Sequence, residues 1–463
     1  MTPRSGKNLD SLRNDSLRSL PAVHRLLEDP AVAQYAATLG PQTVKRAVEQ
    51  VLDRARASGE SHTREALVAA LVARLNAAAA EELVPVINAT GIIGHTNLGR
   101  VPLAHEALAA VARLSHGYSN LEFDLVAGGR GSRYERVSAL ICEITGARDA
   151  LVVNNCASAV LLVLDTFAKG REVIVARSQL VEIGGGFRLP EVLERSGAVL
   201  REAGTTNRVY VRDYEAALSA RTAIVLRTHP SNFRIEGFAN DPDGRELVAL
   251  GRRAGVLVVE DLGNGAVADL SEYGLPRERT VADCLADGID LITFSSDKLL
   301  GGPQAGIVVG DPRALARLRT NPLLRAVRVD KMTLAALAAT LRLHRDPRTR
   351  ARIPLYRMLG TTLEALRARA GAYVAAIPNA TVVSSEAYVG AGALPQSAIA
   401  SVAIALPVAR PDILAATLRR ENPAIVARIA DGRLLFDLRT IAPEEDDTVI
   451  ATLTWGAPDV FEA

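Results

Sequence analysis

At 463 residues the chain is too long for one ordinary domain, and two or three domains are expected. Its hydrophobic content of 48% and charged content of 23% are those of a globular protein and exclude an intrinsically disordered one. The formal net charge of +2 neither requires nor excludes a nucleic-acid partner.

The three cysteines, Cys142, Cys156 and Cys284, lie far apart, and none belongs to a C-x-x-C pair. This pattern argues for a reducing cytoplasm and against both a disulfide framework and a structural zinc site, so no metal is predicted. The first residues, MTPRSGKNLDSLRND, lack the apolar core of a signal peptide, and no uncharged run approaches the length of a membrane span. We therefore expect a cytoplasmic protein without a membrane partner.

The first predicted domain, residues 1–82, is expected to be entirely helical. LPAVHRLLEDP and PQTVKRAVEQVLDRARASG carry apolar residues at helical spacing between Pro and Gly residues, and TREALVAALVARLNAAAAEELV continues the pattern. Two interpretations are open for this segment: a helical bundle that packs on the main body, or a separate module that binds a partner.

The second predicted domain, residues 83–335, alternates short apolar runs with helical stretches such as SAVLLVLDTFAKG and DGRELVALGRRAG. The apolar runs are ALVVNN, EVIVA, TAIVLRTH, GVLVVEDLG, DLITFSS and AGIVVG. Such runs alternating with helices predict an α/β fold, a mostly parallel sheet with helices on both faces. Ligands of these sheets bind outside the carboxyl ends of the strands, where His229, Asp261 and Lys298 are expected to lie.

The third predicted domain, residues 336–463, is expected to be a small α+β domain. After two helical stretches, SAIASVAIALP, PDILAATLRREN, AIVARIADGRLLFDLRTI and EEDDTVIATLTW predict a strand, a helix, a hairpin and a helix. The DGR triplet is the predicted hairpin turn.

Lys298 follows a buried apolar run and precedes a glycine-rich turn in TFSSDKLLGGPQAG. A lysine at the end of a strand is suited to Schiff-base chemistry with pyridoxal phosphate, although a solvated surface lysine is the common alternative. Such a site also needs an acid that keeps the pyridine nitrogen protonated. Asp261, which ends the apolar strand predicted in VVEDLGNG, is placed to supply that acid, with a turn-capping aspartate as the alternative.

A phosphate cradle is predicted in VVNNCASAVLLVL, which indicates a strand, a turn of small residues and a helix. The free N–H groups of a helix N-terminus bind phosphate well. The expected donors are the backbone groups of Asn155, Cys156, Ala157 and Ser158, and Ser295 is a second expected phosphate contact.

Taken together, these motifs resemble those of the bacterial L-seryl-tRNA(Sec) selenium transferases, the selenocysteine synthases, over almost the whole chain. The stretches that carry the resemblance are LPAVHRLLEDP, VINATGIIGHTNLGR, GGRGSRYERVSAL, LVEIGGGFRLPEV, GTTNR, VVEDLGNG, FSSDKLLGGPQAGIVVG and LLRAVRVDKMTLAAL. The resemblance implies a fold-type I pyridoxal-phosphate enzyme in which Lys298 is the Schiff-base lysine and Asp261 is the partner of the pyridine nitrogen.

The implied reaction converts L-seryl-tRNA(Sec) to L-selenocysteinyl-tRNA(Sec). β-Elimination of the serine hydroxyl leaves an aminoacrylate on the tRNA, and selenium from selenophosphate then adds to it. The resemblance further implies that the N-terminal helices select the tRNA and that the enzyme is a homodecamer of five dimers with active sites shared across the dimer interface. Neither a membrane nor DNA is an expected partner.

The resemblance assigns three arginines to the phosphate-like selenium donor: Arg100 in HTNLGR, and Arg325 and Arg328 in LLRAVRVDK. A spacing of three residues predicts that Arg325 and Arg328 share one face of a helix, where their guanidinium groups could converge on one oxyanion. Surface arginines in an arginine-rich chain are the alternative. Asp297 is expected to contact the substrate or to shape the turn.

His229 in THPSNF is the histidine expected to line the cofactor pocket, with a buried structural histidine as the alternative. Cys156 departs from the asparagine or small residue expected at its position, which leaves its role open. Two other functions are open to this sequence: a fold-type I pyridoxal-phosphate lyase for a small free amino acid or amino sugar, and a non-catalytic tRNA-binding protein. The first leaves the N-terminal helices and the arginines without a role, and the second leaves Lys298 and Asp261 without one.

Overall fold

The computed structural model describes residues 20–58, 62–79 and 83–455. The chain divides into two units, Met1–Pro85 and Val86–Ala463. Residue 82, where the sequence predicts a domain boundary, lies outside the described ranges. The first 19 residues also lie outside them. In the described ranges no helix has both the length and the apolar composition needed to cross a membrane.

The first unit consists of helices in its described residues. These are α1 (Val23–Leu27), α2 (Pro30–Ala33), α3 (Ala36–Leu39), α4 (Pro41–Ser58) and α5 (Arg64–Ala79). Helix α4 buries apolar residues at a spacing of three and four, which places Val44, Val48 and Leu52 on one face. They pack against Leu71 and Leu75 of α5 in a core of this unit's own.

The second unit contains all the described strands. They are β1 (Val86–Ala89), β2 (Ile92–Gly94), β3 (Phe123–Asp124), β4 (Gly129–Arg130), β5 (Ala150–Val153), β6 (Glu172–Ala176), β7 (Glu182–Ile183), β8 (Phe187–Arg188), β9 (Val199–Ala203), β10 (Thr222–Thr228), β11 (Leu257–Gly263), β12 (Leu291–Ser295), β13 (Gly306–Gly310), β14 (Thr381–Gly390), β15 (Ala393–Leu406), β16 (Ala424–Ala430) and β17 (Arg433–Asp437).

The helices of the second unit separate these strands. They are α6 (His105–Ser115), α7 (Glu135–Thr145), α8 (Cys156–Phe167), α9 (Leu189–Arg195), α10 (Val211–Ala217), α11 (Gly244–Ala254), α12 (Val281–Asp287), α13 (Pro312–Thr320), α14 (Leu323–Ala326), α15 (Lys331–Leu343), α16 (Pro347–Arg350), α17 (Pro354–Gly360), α18 (Leu363–Ala376), α19 (Pro411–Leu418) and α20 (Asp446–Trp455).

The larger sheet has seven strands in the order β5-β13-β12-β11-β10-β6-β9. Only β13 runs antiparallel to its neighbours, so the predicted mostly parallel sheet is confirmed. Separate apolar cores cover its two faces, because each strand interior is buried on both sides. Strand β9 was not predicted, since VLREA lies at the edge of the sheet, is largely exposed and contains no apolar run.

A second sheet has six strands in the order β1-β16-β17-β15-β14-β2. It joins the two ends of the second unit, because β1 and β2 pair with strands of the C-terminal segment. Neither strand is predicted by the sequence. Both lie in the predicted domain of residues 83–335, whose sequence contains no sign of pairing partners so far along the chain. The predicted DGR turn is confirmed: Asp431 and Gly432 have φ values of 50° and 69° between β16 and β17.

Gly306 begins β13 at a point where the chain passes very close to the start of helix α8. A Cβ atom at this position would overlap the backbone carbonyl of Asn155. Gly306→Ala should therefore lower the free energy of unfolding by about 2 kcal/mol or more, as overpacking does elsewhere. Denaturant titration of the purified variants measures this change.

The matched control is Gly371→Ala. Gly371 lies inside helix α18, and a Cβ atom there meets nothing within 4 Å. This variant should gain about 0.5–1 kcal/mol from helix propensity. Equal stabilities of the two variants would contradict the close approach at Gly306.

Candidate active site

A cleft of about 270 Å³ opens at the carboxyl ends of the parallel strands. It is lined by Arg100, Asn155, Cys156, Ala157, Ile183, Gly184, Phe187, Thr228, His229, Ser231, Asp261, Gly263, Ser295, Asp297, Lys298 and Gln304. Most of the residues predicted from sequence therefore meet in one place, at the sheet edge where ligands of such folds bind.

Lys298 lies in the turn directly after β12, and only 7% of its surface is exposed. The backbone groups of the next two residues, Leu299 and Leu300, contact residues outside the turn. Leu299 N donates to Asn264 O at 3.0 Å, and the Tyr356 hydroxyl donates to Leu299 O at 2.7 Å. The His344 ring lies 2.8 Å from Leu300 O through Nε2. The backbone that carries the amine is thus fixed by its surroundings.

Asp261 lies near the end of β11 and is almost fully buried. Its Oδ1 accepts a hydrogen bond from the Thr293 hydroxyl at 2.8 Å and one from the Cys156 thiol at 3.4 Å. Burial raises the pKa of this carboxyl above its usual range, and the two hydrogen bonds oppose that rise. Among the described residues Asp261 makes no ion pair, so a bound cation would be its first charged partner.

Glu260, the residue before Asp261, points to the other face of the sheet. Its carboxylate accepts hydrogen bonds from Arg279 at 2.7 and 3.0 Å and from Arg227 at 3.2 Å. Successive side chains of a strand alternate in direction, so only one of the two acids can face the cleft. The ion pairs of Glu260 leave Asp261 as that acid.

The predicted phosphate cradle is the N-terminus of helix α8, which begins at Cys156. Asn155 caps the helix, and its Oδ1 accepts from Ser158 N at 2.8 Å. The N–H of Ser158 is therefore already used, and this residue does not line the cleft. The N–H groups of Cys156 and Ala157 have no partner in the described part of the chain.

The Cys156 thiol is directed at Asp261 rather than at solvent. Burial raises the pKa of this thiol well above its usual value, and the nearby Asp261 carboxylate raises it further. The group is accordingly a neutral S–H donor at physiological pH. Its role, which sequence left open, is to satisfy one of the lone pairs of the buried carboxylate.

His229 lines the cleft immediately after β10. Its backbone N donates to Asp261 O at 2.9 Å, and its Nε2 lies 3.2 Å from Oε1 of Glu278. Nδ1 is buried and has no hydrogen-bond partner among the described residues. Sequence reasoning missed Glu278, because it lies in a loop with no motif around it.

Arg100 and Asp297 both line the cleft and form an ion pair there, with Nη1 of Arg100 2.6 Å from Oδ2 of Asp297. Burial raises the pKa of the Asp297 carboxyl, and the Arg100 guanidinium opposes that rise. Arg100 adopts a φ of 66°, a left-handed conformation that is uncommon for a residue other than glycine. Such backbone strain occurs often at functional positions.

The other two predicted arginines do not line this cleft. Arg325 is exposed on α14, and Arg328 lies beyond the end of that helix, where it bridges to Val153 as in a strand. The expectation that both arginines share a helix face is therefore wrong, because the helix ends at Ala326. Arg328 is 3.9 Å from Glu122 instead.

These groups fit pyridoxal phosphate. Among the described residues, the cleft combines a buried lysine amine, a buried carboxylate that makes no ion pair, and unpaired N–H groups at the start of a helix of 12 residues. Each of these matches one part of that molecule: the carbonyl carbon, the ring nitrogen and the phosphate. Fold and site together define the class of protein as a fold-type I pyridoxal-phosphate enzyme.

Comparison with known sequences identifies a particular family within this class. The profile of the family "L-seryl-tRNA selenium transferase" matches residues 86–442, and that of "Selenocysteine synthase N terminal" matches residues 17–56. The chain belongs to the L-seryl-tRNA selenium transferase family.

Two relatives described as L-seryl-tRNA(Sec) selenium transferase illustrate the similarity. The one from Hyphomonas neptunium is 45% identical over 92% of this chain and 95% of its own length. The one from Solidesulfovibrio magneticus is 53% identical over 80% of this chain and 81% of its own length. A solved structure of D-glucosaminate-6-phosphate ammonia-lyase is 20% identical and superposes with a TM-score of 0.57 over 80% of this chain and 95% of that one. It supports the fold alone.

His344 allows the support of the lysine turn to be tested through pH. Burial lowers the pKa of His344 to about 4, so the folded protein holds this ring neutral while an unfolded chain would protonate it near pH 6.5. Stability is complete above pH 6.5 and falls as the pH drops toward 4. Between pH 6.5 and 5 the free energy of unfolding should fall by about 2 kcal/mol, because His344 is protonated in the unfolded chain and not in the folded protein.

Chemical unfolding at pH 7 and pH 5, followed by circular dichroism, measures that fall. In His344→Gln the amide can still donate to Leu300 O but cannot be protonated. The variant should therefore lose about 2 kcal/mol less than the parent protein between the two pH values. An equal loss in both proteins would show that His344 is not buried in its neutral form.

Proposed function

We propose that the protein converts L-seryl-tRNA(Sec) to L-selenocysteinyl-tRNA(Sec), with pyridoxal phosphate as cofactor and selenophosphate as the selenium donor. The observation that carries the proposal is the meeting of Lys298 and Asp261 in one cleft of a chain that belongs to this family. The enzyme acts in the cytoplasm, where its tRNA substrate is found, and needs neither a membrane nor DNA.

Three parts of the cleft hold the cofactor. Lys298 would bind its carbonyl carbon, Asp261 would pair with the ring nitrogen, and the N–H groups of Cys156 and Ala157 would bind the phosphate together with Ser295. When bound, pyridoxal phosphate supplies an electron sink for the negative charge that develops at the substrate Cα. Asp261 suits this role because its buried carboxylate stabilises a cation more strongly than an exposed one would.

Lys298 is the base that removes the proton from the Cα of the seryl group. Its Nζ must occupy the same position in each catalytic cycle to reach that proton. The hydrogen bonds to Leu299 and Leu300 serve this role because they hold the backbone of the turn in place. The serine carboxylate is esterified to the tRNA, so the site needs no carboxylate clamp. The Arg100–Asp297 pair is then free to serve the selenium donor.

The donor arginines come from two copies of the chain in this proposal. Arg100 lies in the cleft, held by Asp297 until an oxyanion competes for its guanidinium. Arg325 is exposed, and Arg328 contacts Glu122 outside the cleft. The three meet only when the 325–328 segment of a second copy approaches the cleft. A homodecamer built from five dimers provides such shared sites.

The N-terminal unit selects the tRNA. Lys45, Arg46 and Arg54 of helix α4 are exposed, whereas its apolar face is buried within the unit. Contacts of such side chains to a phosphate backbone recognise the shape of an RNA without base-stacking platforms. The match of residues 17–56 to the N-terminal profile of the family supports this assignment.

A titration of the visible absorption band of the bound cofactor tests the proposal. Seryl-tRNA(Sec) should change the band at micromolar concentration, while free L-serine should leave it unchanged. Selenophosphate should then restore the original spectrum, since it completes the reaction. Arg325→Ala should allow the first change and block the second, because the donor loses one of its cations.

The same titration can contradict the proposal. A response to free serine or another small amine without a response to the charged tRNA would identify a lyase of small substrates. A purified protein that binds the tRNA but no cofactor would identify a non-catalytic tRNA-binding protein.

Mixed oligomers test whether the arginines are shared. Lys298→Ala and Arg325→Ala are each expected to be inactive, but a hybrid dimer keeps one cleft with both groups intact. Random 1:1 mixing should then restore about a quarter of the parent activity, because half of the dimers are hybrids with one working site of two.

The control is a mixture of Lys298→Ala with Asp261→Ala. Both changes lie in the cleft of one chain, so every cleft in this mixture keeps at least one lesion and activity should stay absent. Absence of recovery in the Lys298→Ala and Arg325→Ala mixture as well would show that Arg325 acts within its own chain.

A further inference from the structure

A chain of buried polar groups extends from His229 behind the wall of the cleft. His229 Nε2 lies 3.2 Å from Oε1 of Glu278, and Asn264 Nδ2 donates to the same oxygen at 3.0 Å. Glu278 is 8% exposed and Asn264 is fully buried. Neither residue lines the cleft, so their effect on it must pass through others.

Glu278 has no other ionic partner among the described residues. The neighbouring Arg279 is directed at Glu260 and Asp287 instead, with distances of 2.7 and 2.6 Å. A buried carboxylate is costly unless its lone pairs are used, so the contact with His229 is strongly favoured. The His229 ring is correspondingly restrained in orientation.

This contact orients the His229 ring. A carboxylate accepts only, so the ring donates to Glu278 through its Nε2 N–H. Nδ1 is buried and has no partner in the described residues, so a ligand in the cleft meets the ring through the exposed 17% of the side chain.

Asn264 connects the same network to the lysine turn. Its backbone oxygen accepts from Leu299 N, next to Lys298, at 3.0 Å. Its Oδ1 accepts from Ala266 N at 2.9 Å, so the side chain is held in one orientation. The next residue, Gly265, packs so closely on Ser295 that a Cβ atom would overlap the carbonyl oxygen of Ser295.

We propose that Glu278 and Asn264 are positioning residues that hold the His229 ring in the orientation in which it packs against the bound cofactor. The inference deepens the proposed function, because it rests on His229 as a cofactor-binding residue. It assigns a role to the Asn-Gly pair of VVEDLGNG and to Glu278, which no sequence motif had indicated.

A double-mutant cycle on cofactor affinity tests the inference. The dissociation constant of pyridoxal phosphate is measured by titrating the full-length apo-enzyme and following the visible spectrum. Glu278→Ala and His229→Ala should each weaken binding about tenfold, the loss expected when one aromatic ring contact with the cofactor is removed. Because Glu278 acts through His229, the double variant should be no weaker than His229→Ala alone.

The spectrum gives a second readout that a merely structural role would not change. Glu278→Ala should shift the absorption maximum in the same direction as His229→Ala. Glu278→Gln should recover most of the affinity, since its amide oxygen can accept from both His229 and Asn264. If Glu278→Ala does not fold, Glu278→Gln takes its place in the double-mutant cycle. Glu364→Gln, an exposed residue at the start of α18, is the control and should bind like the parent.

The possible failures are distinguishable. Additive losses, about a hundredfold in the double variant, would overturn the inference and leave the role of His229 intact. So would a Glu278→Ala variant with the affinity and spectrum of the parent. Parent-like binding by His229→Ala would instead overturn the cofactor role of His229 on which the inference rests, without affecting the assignment of Lys298 and Asp261.

Discussion

The buried carboxylate of Asp261 is the constraint around which the second unit is arranged. A carboxylate at this depth needs hydrogen-bond donors, and they come from separate elements: Thr293 on the neighbouring strand β12 and Cys156 at the start of α8. The start of α8 can come this close only because Gly306 lacks a side chain. The same approach brings the free N–H groups of the helix to the sheet edge. The site for a cation and the site for a phosphate therefore arise from one packing arrangement.

The lysine turn depends on contacts from well outside the cleft. Tyr356 and His344 bind its carbonyl oxygens, and their rings pack edge to face at 5.4 Å. Tyr356 and Leu299 belong to a core shared with residues of the six-stranded sheet, including Val389. The position of the amine is thus coupled to the packing between the lysine turn and that sheet.

The two carboxylates of the cleft differ in their ionic partners. Asp261 has no ionic partner in the described residues and suits a bound cation, whereas Asp297 is already paired with Arg100. That pair is partly exposed in the cleft, where an incoming oxyanion can compete for the guanidinium. Under the proposed function, separate carboxylate and arginine groups would hold the cofactor and the selenium donor, and a second copy of the chain would supply the remaining cations.

Sequence by itself determined much of this protein. Near-continuous apolar runs predicted β5, β6, β10, β11, β12 and β13, because strands covered on both faces must be apolar throughout. Their polar carboxyl ends predicted Lys298, Asp261, Asn155 and His229, and local turn chemistry predicted the hairpin at Asp431. These features depend on residues close together in the chain, so a short stretch of sequence contains the relevant signal.

Only the tertiary structure decided the remaining features. It placed β1 and β2 with the C-terminal strands, directed Glu260 away from the cleft, and ended α14 before Arg328. It also brought Cys156 to Asp261 and Glu278 to His229, pairs that are 105 and 49 residues apart in the chain. Each of these outcomes depends on which distant groups form an ion pair or a hydrogen bond with a buried charge, or pair with the edge strand of a sheet. Local propensity and spacing contain no information about such partners, because the partners are selected only when the chain packs.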